Sequence, residues 1–281
     1  MNTLRYLAEQ PDLVLPPLVT AIALGLLGGV LSPLVALKRL AFVGQGVSHA
    51  AFGGIGLVAI LGLSDSAGGS FAIVFAFCLG AAMLIGLLAG RTGTGPDTAI
   101  GIVLVGSMAL GAALTHIASR NPNLPAAPSW ESALFGSVIA VGWPEATVAW
   151  IVTIIVAGAV WCIRRPLTYW AFDESCARAG GVPAGVMRAM ALGLLCLGVV
   201  TVMKLAGVVL ATAALVLPGA AALRLTDRWL GVAIGSIALS AFGMIAGLAL
   251  SFELDWPPGA CLVLALVAIY AAAVGVSAVR R

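Results

Sequence analysis

Charge is scarce in this sequence. Charged residues make up 9% of the 281-residue chain and hydrophobic residues 62%, against about 25% charged in an ordinary soluble domain. No fold of this size can hide so much apolar surface from water, so lipid surrounds most of the chain. A bilayer core about 30 Å thick takes about 20 residues per helix, which leaves room for about eight to ten crossings. A soluble catalytic or nucleotide-binding domain is excluded, and any ATP hydrolysis belongs to another chain. The cysteines (Cys78, Cys162, Cys176, Cys196, Cys261) are odd in number and without CxxC spacing; they read as small buried hydrophobes. The N-terminus lacks the basic region, apolar core and cleavage site of a signal peptide. Residues 1–12, with Arg5, Glu9 and Asp12, read as an interfacial lead-in. A net charge of +3 gives no basic patch for a nucleic-acid partner.

What is present is a series of apolar runs, near 14–37, 42–63, 70–90, 98–118, 144–163, 187–203, 205–223, 229–250 and 259–279. Helices are the only choice, because open strand edges cannot face lipid and nothing alternates as barrel strands do. The cations cluster after alternate runs: Lys38 and Arg39, Arg91, then Arg164, Arg165, Arg178 and Arg188, then Arg224 and Arg228, and Arg280 and Arg281. The loops between, 64–69, 119–132 and 251–258, are poor in cations, so the first set faces the cytoplasm. The expected fold is an all-α polytopic membrane protein, a single domain over 1–281 with eight or nine transmembrane helices. The count turns on 187–223, one long apolar stretch interrupted by Lys204. Lys204 is expected to snorkel or to pair with a carbonyl at the break. Segment 133–143 is apolar but too short to cross, and reads as re-entrant or interfacial.

Polar groups inside spans are expensive and therefore candidates for function. The densest group is GQGVSHAAFG over 44–53. Gln45 and His49 are four apart and share a helical face. His49 lies some ten residues past the Lys38–Arg39 pair, near mid-membrane at 1.5 Å per residue. A neutral imidazole there suits a borderline transition metal; it would equally serve packing if bonded to a neighbouring carbonyl. His116, at the outer end of the fourth run, and Glu253 and Asp255, beside Trp256 in the 251–258 loop, are further candidates for contact with a cation. The apolar runs hold almost no carboxylates, which disfavours an ion-coupled secondary carrier. The absence of HExxH and of paired acids disfavours an intramembrane enzyme. The longest cytoplasmic stretch, 164–188, contains helix-forming residues over 173–181 that end at Gly180 and Gly181. A short helix there could seat in a cleft on a soluble partner.

The string RLAFVGQGVSHAAFGG over 39–54 resembles the signature of metal-ion permeases of ATP-binding-cassette importers. These membrane subunits take up zinc, manganese or iron with an external solute-binding protein. DTAIGI at 97–102, FDESCARAGGV at 172–182, and KLAG at 204–207 with LVLPGAAA at 215–222 resemble further stretches of that family in the same order. The resemblance implies a homodimeric inner-membrane permease with no permanent cofactor, passing a divalent metal, zinc first. It implies a coupling helix carrying Asp173, Glu174, Ala177, Gly180 and Gly181 against an ATPase subunit. His49 and Gln45 would meet the ion, with His116, Glu253 and Asp255 as lesser candidates. The family commonly has Asp where this chain has Gln45. A neutral amide is a weaker ligand than a carboxylate and weakens the case for a hard ion such as manganese.

Overall fold

The computed structural model describes residues 11–63, 67–91, 95–121, 124, 136 and 138–279. Residues 1–10 of the lead-in expected over 1–12, the arginines at 280 and 281, and most of the 119–132 loop lie outside these residues, while Pro11 and Asp12 already belong to the first helix. The described elements are α1 (Pro11–Leu37), α2 (Ala41–Ile60), α3 (Ala67–Arg91), α4 (Pro96–Ser119), a 3-10 turn (Val138–Ala140), α5 (Trp143–Cys162), α6 (Arg164–Phe172), α7 (Glu174–Ala179), α8 (Ala184–Ala206), α9 (Val208–Leu225), α10 (Trp229–Leu254) and α11 (Pro258–Val279). Nine of these helices are long and apolar enough to cross a membrane. The long stretch 187–223 resolves into two helices. The break falls at Gly207, with φ +89°, three residues beyond Lys204. Only glycine adopts that backbone without strain. Within 133–143 the described residues form no crossing helix; the 3-10 turn packs against α1, with Val138 fully buried.

Between helices in lipid, close packing and hydrogen bonds replace the hydrophobic effect as the source of stability. α1 is the most enclosed span, against α5, α9 and α10. Its carbonyls accept three bonds from neighbours: Trp150 Nε1 to Val19 at 3.2 Å, Thr153 Oγ1 to Ala23 at 3.1 Å and Ser236 Oγ to Gly29 at 2.9 Å. Pro218 removes one rung from the α9 ladder. The buried Ser32 hydroxyl of α1 accepts the adjacent Gly219 N–H at 2.7 Å. Such bonds average about 0.6 kcal/mol each in membrane bundles, so shape complementarity supplies the remainder. Leu24, Leu27 and Leu31 of α1, Leu195 of α8, Leu215 of α9 and Leu248 of α10 form the main buried cluster.

The helix that bears the candidate residues, α2, lies against α3 and α4. Small residues permit the approach: a Cβ on Gly56 would stand 2.9 Å from the Gly111 carbonyl oxygen of α4, and one on Gly111 would collide with the Phe52 carbonyl. This seam fixes the rotation of α2 and hence the direction in which Gln45 and His49 point.

Candidate functional site

α2 begins one short turn after α1. Leu40 N–H bonds to the Val35 carbonyl and Arg39 N–H to Ala36, with Arg39 in the left-handed region at φ 54°. That pattern is a Schellman stop completed without glycine, and it sets α2 going back into the bundle. Along α2, Val47, Ala50 and Ala51 are buried, whereas Gln45 is exposed and His49 half-buried. The buried residues thus turn inward and the polar pair lies on the open side. The Ser48 hydroxyl donates to the Gln45 carbonyl at 2.9 Å, which leaves the Gln45 amide free of that neighbour.

His49 stacks on Phe52, with ring centroids 6.3 Å apart. Its Nδ1 is buried and has no hydrogen-bond partner. A packing histidine bonded through Nδ1 to a carbonyl is therefore not what is found. An unpaired buried polar atom costs about 1–3 kcal/mol, and the rest of the half-buried ring is what this side of the chain offers to a ligand. Among the described residues no three of His, Cys, Asp and Glu gather as a possible metal cage. Among the described residues, this side of α2 supplies an imidazole and an amide oxygen.

The other candidates stand apart. His116 is exposed in the last turn of α4. Glu253 belongs to the last turn of α10 rather than to a loop, and Asp255 caps that helix in the left-handed region at φ 55°. The Ser251 hydroxyl closes the turn onto the Trp256 carbonyl at 2.7 Å. Lys204 reaches the Ser70 hydroxyl of α3 at 2.9 Å, with its ammonium 5.9 Å from the Phe71 ring centroid. A side chain rather than a carbonyl at the helix break receives it, because the break lies at Gly207.

The 164–188 stretch holds two helices, α6 and α7, of which the sequence suggested only the second. Asp173 caps α7, accepting the N–H groups of Ser175 at 2.7 Å and Cys176 at 3.0 Å. Those bonds, led by that from Cys176, hold its carboxyl below the usual range, and the adjacent carboxylate raises the Cys176 thiol. Ala177 is buried against the bundle. At the far end Val182 N–H bonds to Ala177 and Gly181 N–H to Arg178, with Gly181 at φ +80°. Gly181 is thus the left-handed residue that ends α7.

Two contacts tie this stretch to the spans. The Glu174 carboxylate pairs with Arg178 and with Arg188 of α8, the latter at 2.9 Å; Arg178 first and Arg188 second hold the Glu174 carboxyl below its ordinary range. The Lys38 ammonium lies 4.3 Å above the Trp170 ring of α6, joining α6 to the α1–α2 turn. Sequence reasoning missed the Lys38–Trp170 and Glu174–Arg188 contacts, whose partners lie on different elements. The helical spacing of Leu167, Trp170 and Ala171, which form the buried side of α6, was the available signal.

A family profile described as the ABC 3 transport family matches residues 10–277. The chain belongs to that family. A relative from Haemophilus influenzae, named a probable iron transport system membrane protein, is 31% identical over 267 residues, covering 94% of this chain and 93% of its own. The manganese import system permease protein ScaB of Streptococcus parasanguinis is 31% identical, covering 88% of this chain and 84% of its own. The solved structure of PsaBC from Streptococcus pneumoniae in complex with Fab superposes with a TM-score of 0.84 at 26% identity, covering 96% of this chain and 94% of that one. As an ABC 3 member, the chain is a multi-pass transport subunit of the cell membrane and not itself an enzyme.

Proposed function

We propose that the chain is the permease of an ATP-binding-cassette importer for a divalent transition metal, acting as a homodimer. Its partners would be ATPase subunits at α7 and a solute-binding protein outside. The observation that carries the reading is a half-buried His49 imidazole on the open side of α2, one helical turn from an exposed Gln45. A two-fold contact places the same patch of each subunit face to face. Two copies meeting along this side of α2 would bring together two imidazoles and two amide oxygens, a set that one chain lacks. Such neutral donors bind a passing ion weakly, which suits a path that must release its cargo.

Manganese is the ion we place first, because relatives are named for manganese and iron. Zinc is the second reading, favoured by the imidazole and the neutral amide of Gln45. Coupling would run from α7 through Glu174 to Arg188 on α8, and from α6 through Trp170 to Lys38, at the turn from which α2 springs. Uptake of manganese, zinc and iron by the complex reconstituted in vesicles tests the cargo. No ATP-dependent uptake of any of the three would overturn the reading.

A further inference from the structure

α6 has a second side that the coupling scheme leaves unused. Leu167, Trp170 and Ala171 are buried against the bundle, yet Tyr169 and Phe172 are 68% and 63% exposed. Two large exposed rings on one short helix form part of an apolar patch of the kind that marks a binding surface. These rings, with Trp161 at the end of α5 and Trp229 at the start of α10, line a groove of about 730 Å³ that also receives Arg164 and Arg165. Phe172 and Trp229 meet edge to face at 5.7 Å. The Arg164 guanidinium stacks on the Trp161 ring, 3.8 Å from its centroid.

Three observations identify the occupant. Trp161 and Leu230, both in membrane-spanning helices, are 69% and 70% exposed, so the groove opens sideways toward lipid and not only toward the cytoplasm. Its described lining contains two cations and no carboxylate, a charge complementary to an anion. It sits where the distribution of cations places the cytoplasmic leaflet, whose anionic lipids attract basic groups, and aromatic rings of this kind settle at headgroup level. No residue of α7 lines it, which separates it from the surface proposed for the ATPase.

We propose that this groove binds an anionic phospholipid of the cytoplasmic leaflet. Arg164 and Arg165 would receive the phosphate, and the aromatic rings the upper part of the acyl chains. Lipid held there would brace α6 between α5 and α10. The inference does not depend on the identity of the transported ion.

The test uses the full chain purified in neutral detergent, offered phosphatidylglycerol or phosphatidylcholine of the same acyl composition, with retained lipid counted by native mass spectrometry. The wild type should retain phosphatidylglycerol in preference. The double variant Arg164→Gln/Arg165→Gln should lose about thirtyfold of that preference, the effect expected of two arginines near a membrane surface. The double variant Arg224→Gln/Arg228→Gln, outside the groove, should keep it. If the first double variant does not fold, Arg164→Gln and Arg165→Gln singly should each lose about fivefold. Equal retention of the two lipids by the wild type, or an undiminished preference in the groove variants, would overturn the proposal. A photoreactive side chain placed at Thr168 in the assembled transporter should label lipid; labelling of the ATPase subunit or of a second permease instead would also overturn it.

Discussion

His49 and Gln45 occupy one turn of one helix, but their surroundings differ. The imidazole has a buried nitrogen with nothing to bond, and the amide is open to the outside of the chain. If the ion passes here, His49→Ala removes the better donor and should abolish metal uptake while insertion and assembly persist. Both are readable from membrane yield and size-exclusion behaviour. Transport at the wild-type rate would show that the imidazole serves packing alone. Gln45→Asp adds a charge roughly a turn away, and a carboxylate attracts a divalent ion far more strongly than an amide in a low-dielectric site. The variant should retain metal more tightly, accept manganese more readily and release it more slowly. Bound metal counted after rapid washing, alongside initial uptake rates, checks this; no change in either would place Gln45 off the path.

At the scale of elements, the fold rests on close seams and on sharp stops. Gly111 lets α4 touch the backbone of α2, so Gly111→Leu should force the pair apart and cost about 1–3 kcal/mol. A lower unfolding temperature in detergent, with weaker uptake because α2 is rotated, would be the signature. At the end of α7, Gly181→Val places a branched side chain at φ +80°, a strain of about 1–2 kcal/mol, and should weaken capture of the ATPase without unfolding the spans. Unchanged co-purification and ATP hydrolysis would contradict a coupling role. The carboxyls of Asp173 and Glu174 are both depressed. Their contribution to the segment is therefore full above the usual carboxylate range and lost only as pH falls through their lowered values. ATPase capture should accordingly hold from neutral to mildly acidic pH.

For the whole molecule, the alternation of cations and apolar runs made eight or nine crossings readable, since a bilayer leaves the chain no alternative to helices, and the structure has nine among the described residues. The stop at Gly180–Gly181 and the shared face of Gln45 and His49 were equally legible because each depends on residues within one or two turns. The sequence leaves open whether 187–223 turns near Lys204 or continues as one kinked helix, because the charge stands out there while the backbone requirement at Gly207, φ +89°, does not. Likewise α6, the Lys38–Trp170 contact and the Glu174–Arg188 pair depend on segments that meet only after folding. The side on which Gln45 stays exposed is also a property of the assembled bundle. Among the described residues one chain presents an incomplete donor set at His49, and we propose that metal crosses between two copies there. The most direct measurement is ATP-driven manganese uptake into vesicles containing permease, ATPase and solute-binding protein, using wild-type subunits, His49→Ala subunits and a tandem fusion of one of each. A shared path gives full uptake, none, and a strong reduction well below half in the fusion, because each ion would need both imidazoles. Half-maximal uptake by the fusion would mean that each chain carries metal by itself, and would contradict a shared path.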